Sequence, residues 1–298
     1  MRILYRNNKW DGIWDNPKYQ EIRDKIKNTF SGLEFIEEGH MYFLNGKQMT
    51  CVSDVTHMYQ EHFDSNTKAI ETSERNFNNP NSKYYQMTPE MILAEWKRIS
   101  TEACTTGTFR HEFGESCFYF MTGQMDKILP DYKERLTEDG GFIAVDPKEE
   151  AVVKFYEDIP RCIVPILAET KVYDEELGYS GTFDILFYYD AELDGKKPEN
   201  SGLVVMDWKT NRDLYKNFAG KTLLTPFNEL LDMPLSIYKL QLSLYQSCLE
   251  KIGMKVIARR ILWLKPDGTY DKINLEEYVN VLREDLKNKD LKPRIHGA

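Results

Sequence analysis

Beyond residue 162 the chain changes texture, and that change constrains the fold more than any other feature. Val164–Tyr173, Gly181–Tyr189 and Leu203–Trp208 are rich in β-branched and aromatic residues, the composition of strands. The polar stretch Asp190–Gly202 joins the second to the third. A helix is predicted from about Ser236 to Lys251, then a strand over Lys255–Leu264 with its turn at Asp267-Gly268, then a helix over Leu275–Leu286. This order of elements predicts an α/β fold, a central mixed β-sheet flanked by helices.

The first half is more helical. Leu33-Glu-Phe-Ile and His40-Met-Tyr-Phe-Leu lead to Asn45-Gly46, a hairpin signal, so residues 33–51 read as a hairpin. Residues 64–88, rich in Asn, Ser, Lys and Glu around Asn78-Asn-Pro-Asn-Ser, read as an exposed loop. Thr88 is placed to cap a helix with Pro89 in its first turn, running through Trp96. A second helix is predicted over 105–123 and a third over 147–161. The expected division is therefore an N-terminal extension, 1–90, with a hairpin and a loop, and a core, 91–298.

Within this frame, four short signatures follow one another: Gly107-Thr-Phe-Arg-His111, Gly181-Thr-Phe-Asp184, Asp207-Trp-Lys209 and Gln241-Leu-Ser-Leu-Tyr245. On a strand Asp207 and Lys209 share a face, with Trp208 on the other. By itself that pair is also what a surface ion pair looks like, worth about 0–1 kcal/mol. Asp184 changes the weighing, because it lies in a strand that is apolar nearly throughout. Two carboxylates at neighbouring strand ends repel by about 4 kcal/mol at ~4 Å and an effective dielectric near 20. A divalent cation between them reverses the sign, and oxygen-rich sites suit Mg²⁺ or Mn²⁺.

Gly181 is read as a point of close approach to the backbone. His111 is either a structural histidine or a third ligand, the latter tilting preference towards Mn²⁺. His111-Glu112-Phe-Gly-Glu115 begins like a zinc-protease helix, but Glu115 stands where the second histidine belongs. Gln241 and Tyr245 lie on one helix face, either core or a wet, phosphate-facing surface. Glu169, in the preceding strand, is either an added ligand carboxylate or an exposed strand residue.

Bulk properties narrow the class. No stretch approaches a membrane-spanning length, and the basic start, Met1 to Lys9, has no apolar run behind it, so neither membrane nor secretion is expected. Five cysteines without a Cys-x-x-Cys predict reduced thiols and a cytoplasmic setting. The net charge of −9 argues against a protein that coats nucleic acid nonspecifically, though not against a local basic groove. Basic candidates for backbone contact are Arg110, Lys171, Arg212, Lys216, Lys221 and Lys239.

Jointly, the four signatures resemble the RecB-type branch of the PD-(D/E)XK nuclease superfamily over residues 90–265. Trp96 followed by Gly107–Glu112 is similar to the mitochondrial genome maintenance exonuclease and related phage-type exonucleases. The resemblance implies a restriction-endonuclease-like core and a divalent-metal-dependent DNA nuclease, an exonuclease on single-stranded DNA or DNA ends. Replication or recombination proteins are implied as further partners.

It also implies roles. His111, Asp184 and Asp207 hold Mg²⁺ or Mn²⁺ with the Trp208 carbonyl, Lys209 orients or activates the attacking water, and Gln241 and Tyr245 support the lysine and the DNA backbone. Read from the residues themselves, Glu169 joins Asp184, Asp207 and Lys209 in the expected catalytic set, and Arg110 and Lys239 are expected to face the DNA. Only Cys248 lies beyond Lys209, so the iron–sulfur cluster of some relatives is not expected. The rival readings are a catalytically idle DNA-end-binding module and a structural protein in which these residues are buried ion pairs.

Overall fold

The computed structural model describes residues 1–217 and 220–293. In chain order the elements are β1 (Arg2–Tyr5), α1 (Pro17–Thr29), β2 (Leu33–Ile36), β3 (Met41–Leu44), β4 (Lys47–Cys51), α2 (Val52–His57), α3 (Ser65–Asn76), α4 (Pro89–Thr122), β5 (Gly141–Ala144), α5 (Pro147–Asp158), β6 (Ile163–Asp174), β7 (Tyr179–Tyr189), β8 (Gly202–Lys209), α6 (Pro234–Lys251), β9 (Val256–Leu264), β10 (Tyr270–Asn274) and α7 (Val279–Leu286). The fold is α/β, with a central mixed sheet flanked by helices. No helix among the described residues is long and apolar enough to cross a membrane.

The sheet runs β10-β9-β8-β7-β4-β3-β2, with β6 also paired to β7, while β1 and β5 form a separate ribbon. β7 is its spine. It pairs antiparallel with β6 along nearly its whole length. On its other edge it pairs with β4 at Tyr179 and Ser180 and with β8 only from Ile185 onward. β8 and β9 run parallel. The expected hairpin is present: Asn45 and Gly46 both take positive φ between β3 and β4, the conformation a two-residue turn of this kind demands.

The chain divides into two compact units, residues 1–60 with 111 onward, and residues 61–110. The hairpin expected in the N-terminal extension is built into the main sheet through β4. In the smaller unit the loop expected over 64–88 is corrected at its start. Asp64 accepts hydrogen bonds from the amides of Asn66 and Thr67 and opens α3. Trp96 Nε1 donates to Tyr84 O–H at 2.9 Å within the same unit. The two helices expected over 89–96 and 105–123 are one, α4, of 34 residues. Between Pro89 and Thr122 no proline interrupts it, and glycine is tolerated inside a helix at a cost of about 1 kcal/mol. Sequence patterning does not reveal α1, α2, β1 or β5.

Two contacts hold the strand ends and helices around Asp184 and Asp207. Trp208 is fully buried, with Phe155 and Tyr156 of α5 against its ring. Gly114 of α4 lies so close that a Cβ there would stand 2.6 Å from the indole nitrogen. On α1, Tyr19 O–H and Lys18 Nζ donate to Asp190 Oδ2 at 2.5 and 2.8 Å, fastening that helix to the end of β7. Burial raises the Asp190 carboxyl, but Lys18 and Tyr19 bring it below its ordinary value.

Two outcomes are expected. Gly114→Ala gains helix propensity yet forces the packed indole aside, so it should destabilise by about 1–3 kcal/mol in denaturant unfolding. Asp190→Asn should destabilise by about 1–3 kcal/mol at pH 7, where the native carboxylate is fully ionised. The folded pKa lies below the unfolded one, so that contribution is present above the ordinary Asp pKa and fades as pH falls through the folded value. The gap between variant and parent should close in acid.

Candidate active site

The site forms where two strands part. The β7–β8 ladder ends at the pair Ile185–Met206, while β8 continues beside β9 to Lys209. Past that point the Trp208 amide finds a side chain instead of a β7 carbonyl: it donates to Asp184 Oδ2 at 2.7 Å. His111, from α4, brings Nδ1 to 3.1 Å from the same oxygen. Gly181, just upstream, meets the expectation of close approach, since a Cβ there would stand 2.9 Å from the Tyr245 ring of α6.

Glu169 approaches from β6. Its backbone takes φ +40°, the left-handed region that costs an ordinary residue energy. It falls between the paired positions Ala168–Ile185 and Thr170–Phe183, opposite Asp184. His111, Glu169 and Asp184 each offer a ligand atom within 4.8 Å of the others. Glu169 is half-buried there.

Asp207 and Lys209 emerge on the face of β8 opposite Trp208. Lys209 Nζ lies 2.7 Å from Asp207 Oδ1 and 4.3 Å from the centre of the Tyr238 ring on α6. Both Asp207 oxygens are buried, and Oδ1 has the Lys209 ammonium as its close partner. Asp207 is not among the three residues whose ligand atoms converge within 4.8 Å.

The electrostatics are those of a site with too much negative charge. Burial pushes the Asp207 carboxyl up to about 7, with the Asp184 charge adding and Lys209 opposing. Burial raises Glu169 well above the carboxylate range, helped by Asp184, Glu115 and Asp207. Burial would raise Asp184 too, but His111 and Lys209 draw it below its ordinary value. Burial works against an imidazolium at His111, and Asp184 outweighs it, so that pKa rises. Lys209 is likewise opposed by burial and raised overall by Asp207, Tyr238 and Asp184. One imidazole and several buried carboxylates fit a hard divalent cation of the Mg²⁺ or Mn²⁺ kind.

Among the other expected residues, Gln241 Nε2 donates to Tyr245 O–H at 3.2 Å on a largely buried face of α6. Lys239 Nζ bonds Glu276 at 2.8 Å. Arg110 Nη1 donates to the Thr106 carbonyl of its own helix at 2.8 Å. Glu115 is a neighbour of the site that the motifs do not mark. It lies one turn after His111, accepts from Tyr119 O–H at 2.9 Å, and its charge reaches both Glu169 and Asp184. The spacing of four from His111 is its only signal in the sequence.

No protein-family model matches the chain, and no curated protein matches it. Among solved structures it is similar to one named "Putative exonuclease", from Eubacterium rectale, at 12% sequence identity, over 80% of this chain and 77% of that one, with a TM-score of 0.40. The functional reading rests on the side chains around Asp184, not on this distant likeness.

Proposed function

We propose that the protein is a divalent-metal-dependent DNA nuclease of the PD-(D/E)XK kind, acting as an exonuclease on single-stranded DNA or DNA ends. One observation carries this reading: His111, Glu169 and Asp184 converge within 4.8 Å beside the Asp207–Lys209 pair, so that more carboxylates than cations meet at one buried point. Without a bound cation that arrangement is costly, since two like charges ~4 Å apart repel by about 4 kcal/mol at an effective dielectric near 20.

In this reading Asp184, His111 and Glu169 would hold the cation, with Asp207 and the Trp208 carbonyl as further oxygen donors. When bound, it would supply Lewis acidity towards the phosphoryl oxygens and lower the pKa of a water. Lys209 contributes a fixed positive charge where the phosphate gains negative charge, and it orients the water that attacks in line. Tyr238 beneath its ammonium and Asp207 beside it keep that charge in place. Trp208, fully buried, holds Asp207 and Lys209 to one side of the strand. Gln241 and Tyr245 brace the opposite wall at Gly181. Lys239 and Arg110 are proposed to meet the DNA backbone.

Two measurements test this. End-labelled DNA should be degraded with Mn²⁺ or Mg²⁺ and spared in EDTA, and Lys209→Ala should lower kcat by about 10²–10³. EDTA-resistant cleavage, or full activity in that variant, would overturn the mechanism. Independently of turnover, Mn²⁺ should raise the melting temperature of the parent, because a ligand that binds only the folded state stabilises it. Asp184→Asn should abolish that rise; an equal rise in the variant would remove Asp184 from the site.

A further inference from the structure

Beside the cluster lies a second feature that hydrolysis does not use. A cavity of about 470 Å³ opens between α1, the last turns of α4 with the segment after it, and the β6 bulge. Four cations line it: Arg23, Lys27, Lys127 and Lys171. None of the four is ion-paired with a carboxylate among the described residues. Asp15 and Glu169 share the wall, so cations outnumber carboxylates two to one.

Arg23 is the built part of this site. It is 8% exposed, and its guanidinium stacks 3.9 Å from the centre of the Trp14 ring. Nη2 donates to the Trp14 carbonyl at 2.9 Å, while the buried Nη1 has no acceptor. A guanidinium so held is a fixed positive charge with one donor left over, of the kind that meets a phosphate oxygen. Lys27 feels the crowding. Burial lowers its pKa, and the charges of Lys127 and Arg23 lower it further, a cost that a bound anion would relieve.

We propose that this cavity binds a phosphomonoester, the terminal phosphate of a nucleic-acid strand or of a free nucleotide. A phosphomonoester carries nearly two charges at neutral pH and three acceptor oxygens, against one charge for a backbone diester. That asymmetry matches a pocket with several unpaired cations and one orphaned donor. The volume exceeds that of a bare phosphate, and Trp14 gives the wall an aromatic surface. Glu169 belongs both to this wall and to the cluster with His111 and Asp184. A strand end seated here thus enters the proposed nuclease site, and that link alone rests on the nuclease reading.

The test is equilibrium binding to the full chain in EDTA, followed by calorimetry, with 2′-deoxyadenosine 5′-monophosphate as probe and deoxyadenosine as control. Saturable binding of the nucleotide but not the nucleoside is expected. It should weaken at least tenfold in Arg23→Gln and in the double variant Lys27→Gln/Lys127→Gln, whose side chains are exposed and whose loss leaves the core intact. No saturable binding, equal binding of the nucleoside, or undiminished binding in the double variant would overturn the proposal.

Two further arms separate the sources. A tenfold preference for a 5′- or 3′-phosphorylated oligonucleotide over its hydroxyl counterpart assigns the pocket to strand ends; nucleotide binding without that preference assigns it to free nucleotides. Should the nuclease reading fail, binding in EDTA would persist. Should the pocket fail, metal-dependent cleavage would persist.

Discussion

The hydrogen bond from the Trp208 amide to Asp184 is the constraint on which the rest depends. Two antiparallel strands that stayed paired would spend that amide on a carbonyl. Here β7 and β8 part after Ile185–Met206, and a carboxylate takes the orphaned donor. The bond fixes one Asp184 oxygen in a buried position where His111 meets it. It also anchors the strand end that carries Asp207 and Lys209. Asp184, so held, offers His111 an acceptor whose position the strand fixes.

Much of this is legible in the sequence, for physical reasons. Asp184 and Asp207 stand out because each interrupts an apolar strand, and a charge in such company needs a partner. Gly181 marks a place of close approach, and the Tyr245 ring occupies it. Asn45-Gly46 specifies its turn through backbone geometry alone. Other features leave little trace. The left-handed backbone of Glu169 is one, since no residue type there announces it. Glu115 stands out in the sequence only as a failed zinc ligand. The cap that opens α3 hides in a polar stretch whose composition matches a loop, although Asp64 ahead of Ser-Asn-Thr is the cue. The union of two expected helices into α4 reflects the absence of a breaker, which is harder to read than its presence.

The chain's acidity also takes on a more specific meaning. A net charge of −9 says little about partners when part of it is gathered at one place. Glu115, Glu169, Asp184 and Asp207 raise or lower one another's protonation, against one imidazole and one ammonium. Around the corner formed by Glu169 the balance reverses, with cations lining the neighbouring cavity. On the function proposed above, adjacent regions of opposite sign would let a strand be gripped at one point and meet a cation at another.

The contact between Gly114 and Trp208 has a consequence for how this chain can change over time. The helix that carries His111 and the strand that carries Asp207 and Lys209 are spaced by the thickness of an indole ring against bare backbone. Any side chain at 114 demands a slimmer neighbour at 208, and any slimmer neighbour at 208 leaves a void under both flanking residues. The two positions are thus free to drift only as a couple, and lineages that alter one should carry the matching alteration in the other.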